Sequence, residues 1–220
     1  MGGQTILDLI ASTLVFGSLL LMGLRINASN ADNMQAYRGD LLVQENLVSV
    51  VTMLEYDFRK IGYCKDPSKI PDPNKAIIYA STNKIKFLTD LPVSSSNLIG
   101  DGIVDTLEYS VGDVSETPNT PNPRDRLLYR VENSSPRIGV NLGVTIFDLQ
   151  YFDESKTKLA VPVAVPGNIR TIQITIQVEN LAGYTYLKQF GGGVMDSILN
   201  TYQSAYWRQV RLVARNLDNR

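Results

Sequence analysis

The hydrophobic pattern at the start of the chain differs from that of the remainder. Residues 6–24 contain Asp8 as their only charged side chain, and from Leu9 onward they are apolar on every side of a helix. At about 1.5 Å per residue this helix is about 29 Å long, close to the thickness of a bilayer's hydrocarbon core. A buried soluble helix normally keeps one polar face, and a cleaved secretory signal normally has a basic leader, which residues 1–3 lack. The pattern therefore favours a membrane-inserted helix over both alternatives.

The helical periodicity continues beyond this segment but becomes one-sided. Over residues 42–61, apolar side chains recur at i, i+3, i+4 and i+7, and the charged side chains, Asp57 among them, mostly take the other side. No proline occurs before Pro67, so one nearly continuous helix is predicted from about Thr5 to Ile61. Gly62 is the predicted stop. This second half has one face for packing on a core.

After Pro67 the pattern changes to the two-residue alternation of β-strands. Three antiparallel pairs are predicted, 76–81 with 84–91, 105–111 with 126–131, and 144–152 with 169–178. Residues 205–217 are predicted as a final strand, although a helix is nearly as compatible with them. The proline-containing stretch 112–124 is predicted as an exposed loop, and Gly191–Gly193 as a flexible loop, since the Lys-Ser/Thr of a phosphate-binding loop does not follow.

These elements predict an α+β fold, with a long N-terminal helix packed on a C-terminal antiparallel β-sheet domain. The expected organisation is a short leader at residues 1–3, a hydrophobic and then amphipathic helix at 4–62, and a β-rich globular domain at 63–220.

Composition narrows the classes of function. The 220 residues include 21 basic and 22 acidic side chains, so the charge gives no reason to expect nucleic acid as a partner. The chain has no histidine, which excludes Ser-His-Asp and Cys-His nucleophile systems and zinc sites that need imidazole. Cys64 is the only cysteine, so an intrachain disulfide is excluded, and a free thiol or an intersubunit contact remains. Residues 148–155 lack the spaced oxygen ligands of a calcium loop. We therefore expect no enzyme, no metal and no cofactor.

The start of the helix, GQTILDLIA, is similar to the processing motif of the type IV filament superfamily, which comprises type IV pilins and type II secretion pseudopilins. In that motif a glycine precedes the first mature residue, and an acid follows at the fifth mature position. The resemblance implies cleavage after Gly3, Gln4 as the new N-terminus and Asp8 as the fifth residue. The family usually has a basic leader, phenylalanine first and glutamate fifth, so this chain departs from it at all three points.

A second resemblance lies at the end of the helix. The segment MLEYDFRKIGYCKDP looks like the corresponding part of W-type minor pilins and J-type pseudopilins, in which L-x-x-D-x-R-x-x-G-Y is typical. The residues that carry this match are Leu54, Asp57, Arg59, Gly62 and Tyr63. The later segments VTIFDLQYFD and IRTIQITIQV and the closing VRLVARNL are similar to that group's later strands and its terminal Arg-Asn.

The resemblance implies a structural subunit, a minor pilin or pseudopilin, that enters the bacterial inner membrane and is processed by a prepilin peptidase. It would then join other subunits in a periplasmic or extracellular filament. Asp8 would pair with the free α-amino group of a neighbour's Gln4 and fix the axial register. A simpler interpretation is a carboxylate stabilised by the helix dipole. The apolar residues expected to contact other subunits are Leu9, Leu14, Phe16, Leu20 and Leu24. The alternative is a single-pass, membrane-tethered β domain that binds ligands without polymerising.

Overall fold

The computed structural model describes residues 2–92, 100–120, 122–180, 205–213 and 216, without the side chains of residues 2–5 and 36. The predicted loop at Gly191–Gly193 lies outside this range. The chain divides into two compact units, Met1–Leu41 and Leu42–Arg220. The elements described are a helix α1 (Gly2–Arg59) and the strands β1 (Ile77–Ala80), β2 (Lys84–Thr89), β3 (Asp105–Val111), β4 (Arg126–Glu132), β5 (Gly139–Phe152), β6 (Thr171–Glu179) and β7 (Ala205–Val213).

Helix α1 confirms the long helix predicted from the sequence, and Gly62 confirms the predicted stop. Gly62 has φ +72°, a conformation that glycine adopts without the steric cost of a side chain. Its backbone N–H donates to the carbonyl of Leu88 at 2.8 Å, so the chain leaves the helix already hydrogen-bonded to β2.

The seven strands form one antiparallel sheet in the order β1 to β7, each paired with the next strand along the chain. The three predicted strand pairs and the final strand are confirmed. Strand β5 begins at Gly139, five residues earlier than predicted. Gly143 has φ +73° and the register shifts between Val144 and Ile146, so the alternation that identifies a strand is interrupted there.

The core of the second unit lies between one face of the sheet and residues 42–59 of α1. Phe58 is 1% exposed, and its ring centroid lies 5.6 Å from that of Phe87 on β2 and 5.7 Å from that of Tyr109 on β3. The other helix residues in this core are Val43, Leu47, Val50, Val51 and Leu54. A one-sided helix packed on an antiparallel sheet is the α+β architecture that the periodicity predicts.

Two polar side chains are buried where the sequence predicts exposure. The helical pattern placed Asp57 on the polar side, but its side chain is buried at 2% exposure. The described residues of the predicted loop 112–124 are mostly exposed, as expected, but Asn122 is fully buried and its Nδ2 donates to Glu179 Oε2 at 2.9 Å. Both side chains are buried because distant residues satisfy them, and local sequence patterns do not report such partners.

Candidate functional site: the exposed apolar helix

The first unit presents an uncovered apolar helix. Its large apolar side chains between residues 6 and 26 are 52–69% exposed, as solvent-facing helix positions are. By length and composition, the helix that contains residues 6–24 is able to cross a membrane, and none of its most apolar stretch is buried by the protein. An uncovered apolar surface of this size marks a site of contact with lipid or with other proteins.

The uncharged polar side chains in this stretch are satisfied within the helix itself. The hydroxyls of Ser12, Thr13 and Ser18 donate to the carbonyl oxygens of Leu9, Ile10 and Val15 at 2.8–2.9 Å. Such bonds let hydroxyl residues enter an apolar environment without leaving a donor unpaired. Apart from one acid, the side chains of residues 6–24 need no external polar partner.

That acid is Asp8. Among the described residues no group forms a hydrogen bond or ion pair with its carboxylate. Arg25, the nearest basic residue along the helix, is 17 residues away, or about 25 Å at the rise of an α-helix. A carboxylate on an otherwise apolar surface attracts a positive charge from another molecule, because transfer out of water costs free energy unless the charge is paired.

The predicted contact residues all lie on α1 and are exposed, but they do not share one face. Leu9, Phe16 and Leu20 follow each other at spacings of seven and four and form one stripe, with Leu24 at its edge. Leu14 lies about 140° around the helix from Leu9. These residues therefore offer contacts on more than one side, as expected for a helix surrounded by lipid or by neighbouring helices.

The predicted processing residues, Gly3 and Gln4, lie in the first turn of α1. The structure describes the backbone of Gln4 but not its side chain.

The motif at the other end of α1 attaches the helix to the sheet of the second unit. Asp57 Oδ2 accepts hydrogen bonds from the Tyr109 hydroxyl at 2.5 Å and from Arg130 Nε at 2.7 Å. Arg130 also pairs with Glu132. The helix is thus tied to β3 and β4 by a buried charged group as well as by apolar packing.

The protonation of this group follows from burial. Desolvation raises the pKa of the Tyr109 hydroxyl, and the charge of Asp57 raises it further, so Tyr109 remains a donor at neutral pH. Burial alone would lower the pKa of Arg130, but the hydrogen bonds to Asp57 and Glu132 outweigh it and raise that pKa. Arg130 therefore stays protonated over the physiological range.

The remaining motif residues have structural roles of their own. Leu54 is in the core at 1% exposure, and Arg59 forms an exposed i,i+4 pair with Glu55 at 3.4 Å. Asn216 belongs to the terminal Arg-Asn of the resemblance, to which the sequence assigned no role. Its Nδ2 lies 3.3 Å from the carbonyl oxygen of Arg59 and 3.2 Å from that of Ile61, and donates to these carbonyls at the helix end. The similarity of the terminal Arg-Asn to that of W-type minor pilins and J-type pseudopilins was the feature of the sequence that pointed to Asn216.

The described residues contain no group of three or more metal-ligating side chains. Cys64 is buried at 2% exposure, and its thiol lies 3.6 Å from Asp90 Oδ2. Burial raises the pKa of this thiol, and the nearby carboxylates raise it further. Its thiolate form is therefore disfavoured at neutral pH.

No family model matches the chain, and no curated protein matches its sequence. Among solved structures, the chain is similar to a type IV-like pilin from Thermus thermophilus, with a TM-score of 0.43 and 11% sequence identity. The similarity covers 79% of this chain and 97% of that one.

Proposed function

We propose that the chain is a structural subunit of a type IV pilus-like or pseudopilus filament, of the minor class, held in the bacterial inner membrane before assembly. The observation that carries the proposal is the exposed apolar stretch at residues 6–24, with Asp8 as its single charge. Its continuation, residues 42–59, packs on an antiparallel sheet. A helix exposed in this way needs a second environment, and the sheet gives the subunit a folded part outside the membrane.

Before assembly, that environment is lipid. The stretch from Ile6 to Leu24 is about 29 Å long and matches the hydrocarbon thickness of a bilayer. Its three hydroxyl side chains are hydrogen-bonded internally, so Asp8 is the one group that lipid leaves unsatisfied. Asp8 lies near the end of the stretch, where the cost is below the roughly 2.5–3.5 kcal/mol of a charge at the bilayer centre.

During assembly, the apolar side chains exchange lipid for the helices of other subunits. Uniformly apolar helices slide along each other, whereas one buried polar pair selects a single stagger. Cleavage after Gly3 by a prepilin peptidase would leave an α-amino group on Gln4, and this amine in one subunit would pair with Asp8 in the next. The same pairing would satisfy the carboxylate and fix the register.

The proposal is tested with Asp8→Ala and Asp8→Asn in the native host, with surface or periplasmic filaments imaged and subunit levels measured by immunoblot. Both variants are expected to accumulate in the membrane and to be absent from filaments. Asp32→Ala is the matched control, since Asp32 is an exposed acid on the same helix. Normal incorporation of the Asp8 variants would refute the register role.

A separate measurement addresses processing. Mass spectrometry of the assembled protein should give Gln4 as the N-terminal residue. An intact Met1 on assembled protein would exclude cleavage after Gly3. A wild-type chain that stays in the membrane as a monomer in a host that makes filaments would instead favour the non-polymerising β domain.

A further inference from the structure

The sheet face that points away from α1 has an organised surface on strands β5, β6 and β7. Strand register aligns its side chains in four rows of three. The rows are Ile146–Gln177–Trp207, Asp148–Thr175–Gln209, Gln150–Gln173–Arg211 and Phe152–Thr171–Val213. We call these twelve residues the outer face. Its four rows extend about 20 Å along the strands, since residues on one face repeat every two positions.

Hydrogen bonds along β5 and between neighbouring strands hold the polar rows in place. Gln150 Nε2 donates to Asp148 Oδ2 at 2.9 Å and Gln173 Nε2 donates to Gln150 Oε1 at 3.4 Å. Arg211 Nε donates to Gln173 Oε1 at 2.9 Å, and Gln209 Nε2 donates to Thr175 Oγ1 at 3.2 Å. Side chains ordered in this way lose less conformational entropy when a ligand binds.

The apolar residues of the outer face occupy its two ends. Trp207, which is 67% exposed, shares the first row with Ile146, with Gln177 between them. Val213 shares the last row with Phe152, with Thr171 between them. The two polar rows lie between them. A protein–protein interface has the reverse arrangement, an apolar centre within a polar rim. The outer face therefore does not have the composition expected for docking another protein.

The charge of the outer face excludes two other classes of partner. Asp148 and Arg211 are its only ionisable residues, and their charges cancel. Nucleic acids and anionic lipid surfaces are bound by an excess of basic side chains, which is absent here. The partner that fits is neutral, polar and extended.

We propose that the outer face binds a neutral, extended glycan. Sugar hydroxyls both donate and accept hydrogen bonds, as do the side chains of Gln150, Thr175 and Gln209 in the central rows. Gln173 is buried at 7% exposure and holds Gln150 and Arg211 in place. The exposed indole ring of Trp207 supplies an apolar plane for the C–H face of a sugar ring. The length of the four rows accommodates an oligosaccharide rather than a single sugar. The proposal does not depend on filament assembly.

Trp207 is the only tryptophan of the chain, so intrinsic tryptophan fluorescence reports on this face alone. We would titrate the full chain, in a detergent without a sugar headgroup, with soluble cello-oligosaccharides and chito-oligosaccharides. A saturable change in the emission is expected with at least one series. Retention on cellulose and chitin particles gives a second readout that also serves for variants without tryptophan.

Trp207→Ala should weaken retention about tenfold, the size of an aromatic contact of about 1.4 kcal/mol, whereas Trp207→Tyr should keep most of it. Ile138→Ala is the matched control, since Ile138 is an exposed apolar residue at 72% that lies outside the outer face, and it should bind as the wild type does. Asp8→Ala should also bind normally, which separates this proposal from the filament proposal.

Three results would overturn the assignment. The first is the absence of both a fluorescence change and retention with either glycan. The second is wild-type retention by Trp207→Ala. The third is Trp207-dependent retention on protein-coated or sulfated-polysaccharide beads and not on the neutral glycans, which would assign the face to another partner.

Discussion

The buried ion pair that ties α1 to the sheet permits a quantitative test of how the second unit is held together. The perturbation is Arg130→Met, which removes the positive charge 2.7 Å from Asp57 Oδ2. Asp57 then keeps its hydrogen bond from Tyr109, but its charge is 3% exposed and uncompensated. Breaking a buried pair from one side costs about 3–5 kcal/mol. Because the Arg130 side chain is 28% exposed and water can partly replace it, we expect a loss of about 3 kcal/mol.

The opposite substitution should cost less. Asp57→Asn keeps an oxygen for the Tyr109 hydroxyl and leaves Arg130 paired with Glu132 near solvent. We expect a loss of about 1.5–2 kcal/mol, at the low end of the roughly 1.5–3 kcal/mol of a hydrogen bond to a charged group. In the Asp57→Asn background, Arg130→Met should then lower the free energy of unfolding by about 1 kcal/mol, because it leaves no buried charge without a partner. The expected coupling energy is therefore about 2 kcal/mol.

The assay is urea unfolding of the full chain in detergent, followed by far-ultraviolet circular dichroism and analysed by linear extrapolation. With a slope of about 2 kcal/mol per molar urea, a loss of 3 kcal/mol lowers the midpoint by about 1.5 M. Glu55→Ala is the control, since Glu55 is also charged and on the same helix but makes only partly exposed pairs, with Arg59 and Arg208. A coupling energy below about 0.5 kcal/mol would refute the interpretation of Asp57 as a buried anchor.

Three further outcomes are expected from the second unit. Gly100→Ala should lower the free energy of unfolding in urea by about 2–4 kcal/mol, because Gly100 has φ +82° and an added Cβ would lie 2.2 Å from Asp90 Oδ1. Gly102→Ala should cost only about 1–2 kcal/mol, because Gly102 has a similar φ of +86° but an added Cβ would have its nearest neighbour 4.0 Å away. Equal losses would contradict the steric argument. Burial, followed by the charge of Glu179, raises the pKa of Asp125 in the folded protein. The free energy of unfolding therefore falls as pH rises above the pKa that Asp125 has in the unfolded chain. Asp125→Asn should raise the melting temperature at pH 7 and not near pH 3, and no gain at pH 7 would contradict this reasoning. The buried Cys64 thiol should react with a maleimide slowly in the native protein and rapidly in urea, and rapid native labelling would show that this segment opens.

Most of the architecture was available from the sequence because it depends on periodicity. The apolar run at residues 6–24, the one-sided pattern at 42–61 and the alternation of the later strands each describe which faces avoid water, and a helix or strand follows from that spacing alone. The three predicted strand pairs followed too, because consecutive strands usually lie next to each other, whereas the pairings of β2 with β3, β4 with β5 and β6 with β7 came from the structure.

The sequence determined less about polar residues, whose partners lie far along the chain. Asp57 has the spacing of a surface acid, and only the folded sheet brings Tyr109 and Arg130 to it across 52 and 73 residues. Asn216 reaches the end of α1 across more than 150 residues for the same reason. The outer face is likewise a property of strand register, which aligns Gln150, Gln173 and Arg211 in one row.

The sequence by itself thus determined the two kinds of surface, an apolar helix with one acid and an antiparallel sheet packed on its continuation. Burial in apolar surroundings depends on side-chain type and spacing, and both can be counted along the chain. The tertiary structure alone decided which charges are paired and which side chains share a surface. Electrostatic and hydrogen-bond partners are chosen by distance in space, and the register of the sheet sets that distance.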